Sequence, residues 1–307
     1  MMKLEGIGTF VTVAEAGSIS EAARRQRLSK SVVSERLADL ERSLGTTLLH
    51  RTTRRLTLTE DGIAFLTRAR RIVREVEDAG ADMAERRGEL VGPLRISAPV
   101  TFGRMHLGPA LYPFLARHPG IELTLDLDDR RADAAADGYD AVVRHGAIQD
   151  SRLIAWRLAA SRRVLVASPE YIARNGAPAS MADLASHRGI FYTHRGVADW
   201  RFPSPDGAAI VRGRIGLLVN NGDVMREAAT AGLGIALLPT FIAGGAIRTG
   251  ELKIVDIGVE AEGEFIYIAY PEGPPPSAKL KAFAECLISA IGDPPYWDVP
   301  DCRPTDK

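Results

Sequence analysis

The sequence predicts an α/β protein with an all-α N-terminal part, and three observations carry that prediction. From Lys3 to Leu44 apolar residues recur at helical spacing and Gly17 and Gly45 break the pattern. From Thr59 to Gly88 apolar residues follow one another at intervals of four and three. After Gly92-Pro93 short alternating strands are interleaved with helical stretches, which implies α/β layers with largely parallel sheets.

Each element has its own warrant. Leu4, Ile7, Phe10, Val11 and Ala14 form the stripe of a first helix that Gly17 stops. Ser18 followed by Glu21 fits a capping box opening a second helix, Ile19 to Arg27. Ser29 suits the N-cap of a third helix with the stripe Val33, Leu37, Leu40 and Leu44, ended by Gly45. Its opposite side carries Ser31, Glu35, Ala38 and Arg42, with Lys30, Val32 and Ser34 flanking. LLHRTTRRLTL then places Arg51, Thr52, Thr53 and Arg54 on a basic tip between apolar runs. Three helices with a basic hairpin behind them read as a winged helix-turn-helix, whose third helix presents its N-terminal residues to base edges of duplex DNA. Arginines on the wing would lie along phosphates or enter a minor groove, the plain alternative being a solvated hairpin.

Charge supports this reading. The 307 residues carry 39 Lys and Arg against 39 Asp and Glu, yet residues 1–59 hold ten against six, a local balance of +4. So small a balance gives one head weak, salt-sensitive binding and calls for heads acting together. Thr59 can cap a helix in which Phe65, Ala69, Ile72, Val76, Ala79 and Met83 form a heptad seam, the remaining faces being crowded with charge. Pairing two such helices would put two heads on one duplex, so the operator should have dyad symmetry. The alternative is an ordinary amphipathic helix packed on its own domain.

Composition excludes several classes. At 46% hydrophobic residues the chain can form more than one core, and no apolar run reaches membrane-spanning length. A soluble, cytoplasmic protein without a membrane partner is expected, since the N-terminus lacks a signal-peptide pattern. Cys286 and Cys302 are too few for a disulfide framework or metal site; Cys286 is expected buried in the last helix and Cys302 in a mobile tail. The six histidines lack metal spacing, AGLGIALLP lacks the context of a dinucleotide loop, and no serine sits in a nucleophile elbow, so no catalysis, metal or cofactor is expected.

The chain resembles a LysR-type transcriptional regulator. AEAGSISEAAR, LSKSVVSERLADLE and LGTTLLHRTTRRLTLTEDG carry the resemblance, followed more loosely by GPLRISAP, HPGIELTL, GYDAVVRHG and AGLGIALLP. Members usually have Gln, Arg and Gln where this chain has Lys30, Glu35 and Arg36. With the docking face, the resemblance makes Ser29, Lys30, Ser31, Val32, Ser34, Glu35, Arg36, Arg42, Arg51, Thr52, Thr53 and Arg54 the DNA-contacting set. It further implies a DNA-binding domain over 1–59, a dimerisation helix over 60–90 and an effector-binding domain over 91–292, while residues 293–307, rich in Pro and Asp and without a period, are expected to form a flexible tail. The effector domain would resemble periplasmic solute-binding proteins, with lobe I at about 93–162 and 268–292 and lobe II at about 163–267. The chain would cross between lobes near Arg162 and again near Glu264.

Ligands of such lobes sit at strand carboxyl ends. Thr101, Phe102 and Gly103 follow the first strand and should offer a hydroxyl and backbone donors to an anion. Arg144, beside His145 in the AVVRHG turn, offers a forked donor set suited to a carboxylate, or pairs instead with Asp140 or an acid across the lobes. Lobe II offers Tyr192, Thr193 and His194, and Asn220 and Asn221 ahead of a helix; each also fits a plain turn or cap role. The expected function is transcriptional regulation controlled by a small organic effector. Its expected partners are double-stranded DNA, the effector, further copies forming a homodimer and then a homotetramer, and RNA polymerase. The rivals are an architectural DNA-binding protein without an effector and an enzyme fused to a DNA-binding head.

Overall fold

The computed structural model describes residues 2–51, 56–85, 87–130, 134, 138–148, 150–193, 200–204, 207–273 and 275–298. Two compact units result, one from the chain up to Pro93 with Gly120–Glu122, the other from most of the chain after Leu94.

The first unit begins with α1 (Leu4–Ala16), α2 (Ile19–Gln26) and α3 (Lys30–Leu44). Gly17 and Gly45 close α1 and α3 at φ 61° and 72°, where a side chain would be strained. Arg27 ends α2 in the same left-handed region, one residue short of the expected end. Ser18 caps α2 by accepting the Glu21 N–H, but the predicted reciprocal bond gives way to stronger partners. Glu21 accepts from Arg24 at 2.7 and 2.9 Å and from Arg25 at 3.0 Å, which holds its carboxyl at about 2. Phe10, Val13, Ala22, Val33 and Leu37, each 0% exposed, fill the core between the helices.

Strands β1 (Leu49–Arg51) and β2 (Leu56–Leu58) pair antiparallel, Leu49 opposite Leu58. The Glu41 carboxylate accepts the N–H groups of Leu48 and Leu49, tying the hairpin to α3. Thr59 caps α4 (Glu60–Glu85) as expected, and Gly62 lies so close to β1 that a Cβ there would be 2.1 Å from the Leu48 carbonyl oxygen.

In the second unit two mixed five-stranded sheets form the lobes, which corrects the expectation of largely parallel sheets. Lobe I has the order β4-β3-β5-β14-β6, from β3 (Gly92–Ala98), β4 (Ile121–Leu127), β5 (Ala141–His145), β6 (Leu153–Ser161) and β14 (Glu264–Pro271). β3 runs parallel to β5, whereas β14 is antiparallel to β5 and β6. Between β3 and β4 a helical stretch runs through α5 (Val100–Phe102), a π turn (Gly103–Leu107) and α6 (Gly108–Arg117). Lobe II contains β7 (Arg163–Ala167), α7 (Pro169–Asn175), α8 (Met181–Leu184), β8 (Arg188–Tyr192), the hairpin β9 (Trp200–Ser204) and β10 (Gly207–Val211), β11 (Arg214–Val219), α9 (Gly222–Thr230), β12 (Ile235–Pro239), α10 (Thr240–Arg248) and β13 (Lys253–Ile254). Its sheet order is β11-β8-β12-β7-β13, with β11 and β12 parallel to β8 and β7 antiparallel to β12 and β13.

The antiparallel strands have a common cause. The chain leaves lobe I through β6, passes Arg162 into β7, and returns only at β14, so strands are added against the direction set by the βα units. Arg162 on the outward crossing donates to Glu260 on the return, Nε to Oε2 at 3.1 Å. α11 (Ala278–Ile291) completes lobe I. Beyond it, the expected tail is corrected for residues 293–298: Trp297 is 2% exposed, its large apolar surface outweighing the Pro- and Asp-rich composition around it. Residues 299–307, Cys302 included, lie outside the described residues. Cys286 is partly rather than fully buried in α11.

Candidate DNA-reading face and effector cleft

On the outer side of α3, Ser29, Lys30, Ser31 and Glu35 are exposed and Val32 and Ser34 partly so. Ser29 accepts the Val32 N–H at 3.3 Å and its hydroxyl lies 2.8 Å from that of Ser31, so these serines also order the helix start. Arg42 is exposed and donates to Asp39 at 2.6 Å. The Arg36 guanidinium lies 3.0 Å from Glu5 of α1 and joins two helices of the head. Thr52, Thr53, Arg54 and the Arg51 side chain lie outside the described residues.

The seam expected along α4 divides in two. Ala69 is 0% exposed within the head core, and Phe65 and Ile72 pack against that core, Phe65 with its ring 5.6 Å from Phe10. Ala69 is therefore corrected from a dimer contact to intramolecular packing, whereas Phe65 and Ile72 stay partly exposed beside that core. Val76, Ala79 and Met83 remain exposed, Val76 by 49% and Met83 by 50%.

Between the lobes lies a cavity of about 410 Å³. Of the expected ligand positions, Thr101, Phe102, Arg144, His145 and Tyr192 line it. The charged part of the wall holds three guanidiniums, Arg130, Arg144 and Arg163, and three carboxylates, Asp128, Asp129 and Glu264. Arg130 donates to Asp128 at 2.7 Å and holds its carboxyl at about 2. Glu264 stands 3.2 Å from His145 Nε2 and 3.7 Å from Arg163. His145 Nε2 is also 2.9 Å from the Ser161 hydroxyl, and Arg144 donates to the Val143 carbonyl. Phe102, Met225, Leu237, Phe241 and Ile242 supply an apolar part.

Of the expected donors, the Thr101 hydroxyl and the Gly103 N–H are already engaged. The helix begins at Val100, whose N–H goes to Asp129 at 2.9 Å, and Gly103 N–H goes to Pro99 at 2.8 Å. Gly103 itself is absent from the cavity wall and packs on Leu127, where an added Cβ would lie 2.2 Å from the nearest methyl. The Thr101 hydroxyl donates to Asp223 of lobe II at 3.1 Å, and Arg104 donates to the same carboxylate at 2.5 Å. Asn221 caps α9 by accepting the Val224 N–H and donates to Asp129 at 3.2 Å. It therefore joins the lobes rather than lining the cavity. Asn220 and Thr193 are exposed and away from the wall, and His194 lies outside the described residues. Among the described residues no cluster of metal-ligating side chains occurs, and no helix is long and apolar enough to cross a membrane.

The family models decide the assignment. That for the bacterial regulatory helix-turn-helix protein of the lysR family matches residues 4–63, and that for the LysR substrate binding domain matches residues 87–291. The chain belongs to the LysR family of transcriptional regulators. Among relatives of this LysR-type regulator, the uncharacterized Escherichia coli regulator YhjC is 36% identical over 294 residues, 95% of this chain and 98% of the relative. An HTH-type transcriptional repressor of Pseudomonas aeruginosa is 33% identical over 298 residues, 96% and 94% of the two chains. The solved structure of CrgA, a LysR-type regulator from Neisseria meningitidis, is 29% identical with a TM-score of 0.61, covering 94% of this chain and 98% of CrgA. The regulator is thus an effector-responsive DNA-binding protein.

Several cleft residues of this LysR-type regulator escaped the sequence reading. Asp128, Asp129 and Arg130 follow β4, and Phe241 follows β12, so the strand-end rule that found Thr101 and Arg144 would have found them. Arg163 and Glu264 sit at the lobe crossings, where the contact depends on sheet order rather than on a local motif.

Proposed function

We propose that the cleft receives a small organic carboxylate and that its occupancy changes lobe closure, and with it the way paired heads hold promoter DNA. The observation behind this reading is the grouping of Arg144, Arg163 and His145 on the wall of a cavity that both lobes build. Guanidiniums are suited to bidentate carboxylate binding, and the apolar wall of Phe102, Phe241 and Met225 suits an organic body. Glu264 and Asp128 balance part of that positive charge, so an acid displaces existing partners and binding discriminates by geometry. The test is thermal unfolding against a panel of organic acids and their neutral amides. A binding acid at about a hundred times its Kd stabilises by about 2.7 kcal/mol. Its amide should not, and Arg144→Ala should remove the effect; equal stabilisation by the amide, or an unaltered shift in Arg144→Ala, would refute the reading.

In the same reading, heads pair along the exposed half of α4 through Val76, Ala79 and Met83, the dimers assemble to tetramers, and the operator has dyad symmetry. The chain works in the cytoplasm, without enzymatic activity, and meets RNA polymerase at the promoter. The domain limits that go with it are 1–59, 60–90 and 91–292. Met83→Glu is expected to lower the mass measured by light scattering; an unchanged mass would remove α4 from the interface.

A further inference from the structure

The segment after α11 carries no role in the reading above, yet it is built into the junction of the lobes. Trp297 meets Phe102 and His106 of lobe I, with ring centroids at 6.2 and 4.5 Å, and Phe241 of lobe II at 6.2 Å. It also lies on α10 at Gly244, where a Cβ would come within 2.7 Å of the Trp297 carbonyl oxygen. His106 joins the three parts: its Nε2–H donates across the lobes to the Phe241 carbonyl at 2.8 Å, which leaves Nδ1 to accept the Tyr296 hydroxyl at 2.5 Å. Thr240, at the start of α10, donates both its N–H and its hydroxyl to the Arg162 carbonyl at the outward crossing, at 2.8 and 3.3 Å. Phe102 and Phe241 both line the cavity. Each of these two rings thus touches the cavity and the Trp297 indole.

We propose that Trp297 is a positioning residue for the effector cavity, a wedge that fixes Phe102 of lobe I against Phe241 of lobe II and so couples cavity shape to lobe setting. This rests on the reading of the cleft as the effector site. A close-packed aromatic contact does not deform smoothly, so any change in lobe closure that moves the two rings apart must also move the indole. Residues 295–298 act as a strap across the lobes, though they follow the last helix of the domain.

The test needs no effector. Amide hydrogen exchange of the full ligand-free chain is compared for the wild type, Trp297→Ala, Trp297→Phe and Tyr296→Phe. Trp297→Ala is expected to speed exchange about tenfold or more in both 100–107 and 240–248, with β5, β8 and the head little changed. Trp297→Phe should restore most of the protection, and Tyr296→Phe should loosen the same two segments to a smaller extent, which keeps the test open if the alanine variant fails to fold. Acceleration confined to 293–298, confined to one lobe, or spread evenly over the whole unit would overturn the proposal. Failure here leaves the carboxylate reading standing, because that reading is judged separately by the acid panel and Arg144→Ala.

Discussion

Breaking the bond between Thr101 and Asp223 measures how firmly the lobes are latched. Thr101 is 4% exposed and Asp223 15%, so their 3.1 Å contact is a charge-assisted hydrogen bond largely removed from water. Such bonds contribute about 1.5–3 kcal/mol. Arg104 binds the same carboxylate but is 57% exposed, and solvent screening reduces its share to below about 1 kcal/mol. A double-mutant cycle of Thr101→Val and Asp223→Ala should therefore return a coupling of about 2 kcal/mol, roughly a 30-fold change in equilibrium. Urea unfolding followed by tryptophan fluorescence is the assay, since Trp156, Trp200 and Trp297 all belong to the second unit and the head contributes no signal. Loss of the α9 first-turn charge in Asp223→Ala affects both arms of the cycle alike and cancels. A coupling below about 0.5 kcal/mol would show that the latch is no stronger than an exposed ion pair and refute the argument from burial.

Three further outcomes are expected. Gly62→Ala forces a methyl against the Leu48 backbone, an overpacking that costs about 1–3 kcal/mol, read as a lower melting point of the head by circular dichroism; an unchanged melting point would contradict the tight approach. Burial lowers the pKa of both His106 and His187 below the ordinary 6.5, so the unfolded chain binds protons first. The stability this represents is fully present above about pH 6.5 and is lost as pH falls through the lowered native values. His106→Gln should flatten that decline between pH 7.5 and 5.5, and an identical pH profile in the variant would contradict it. On DNA, Glu35→Gln should change which operator sequence is preferred, whereas Arg54→Ala should weaken all sequences alike and reduce the salt dependence; equal, sequence-independent losses in both would remove Glu35 from base readout.

The head was legible because its determinants are local. Capping serines at 18 and 29 and stopping glycines at 17 and 45 act within one turn of chain, so helix limits could be read to within a residue or two. The strand-end positions Thr101, Phe102, Arg144, His145 and Tyr192 were legible too, from the strand-end rule applied to the two-lobed plan that the family resemblance implies. α4 shows where that kind of reading stops. Its periodicity is equally good for a partner helix and for its own head, and only the packing of the head core puts Ala69 inside the unit.

Sequence by itself thus determined the family, the order of domains and the chemistry available at each strand end. Tertiary structure alone decided which of those groups meet: that Asp223 engages the Thr101 hydroxyl and Asp129 the Asn221 amide, that Arg36 faces Glu5, and that Trp297 packs on Phe102. Helix caps and hydrophobic periods are encoded within a few residues. A contact such as Thr101 with Asp223, 122 positions apart, exists only after two sheets have formed and the chain has crossed between them at Arg162, so no local pattern records it.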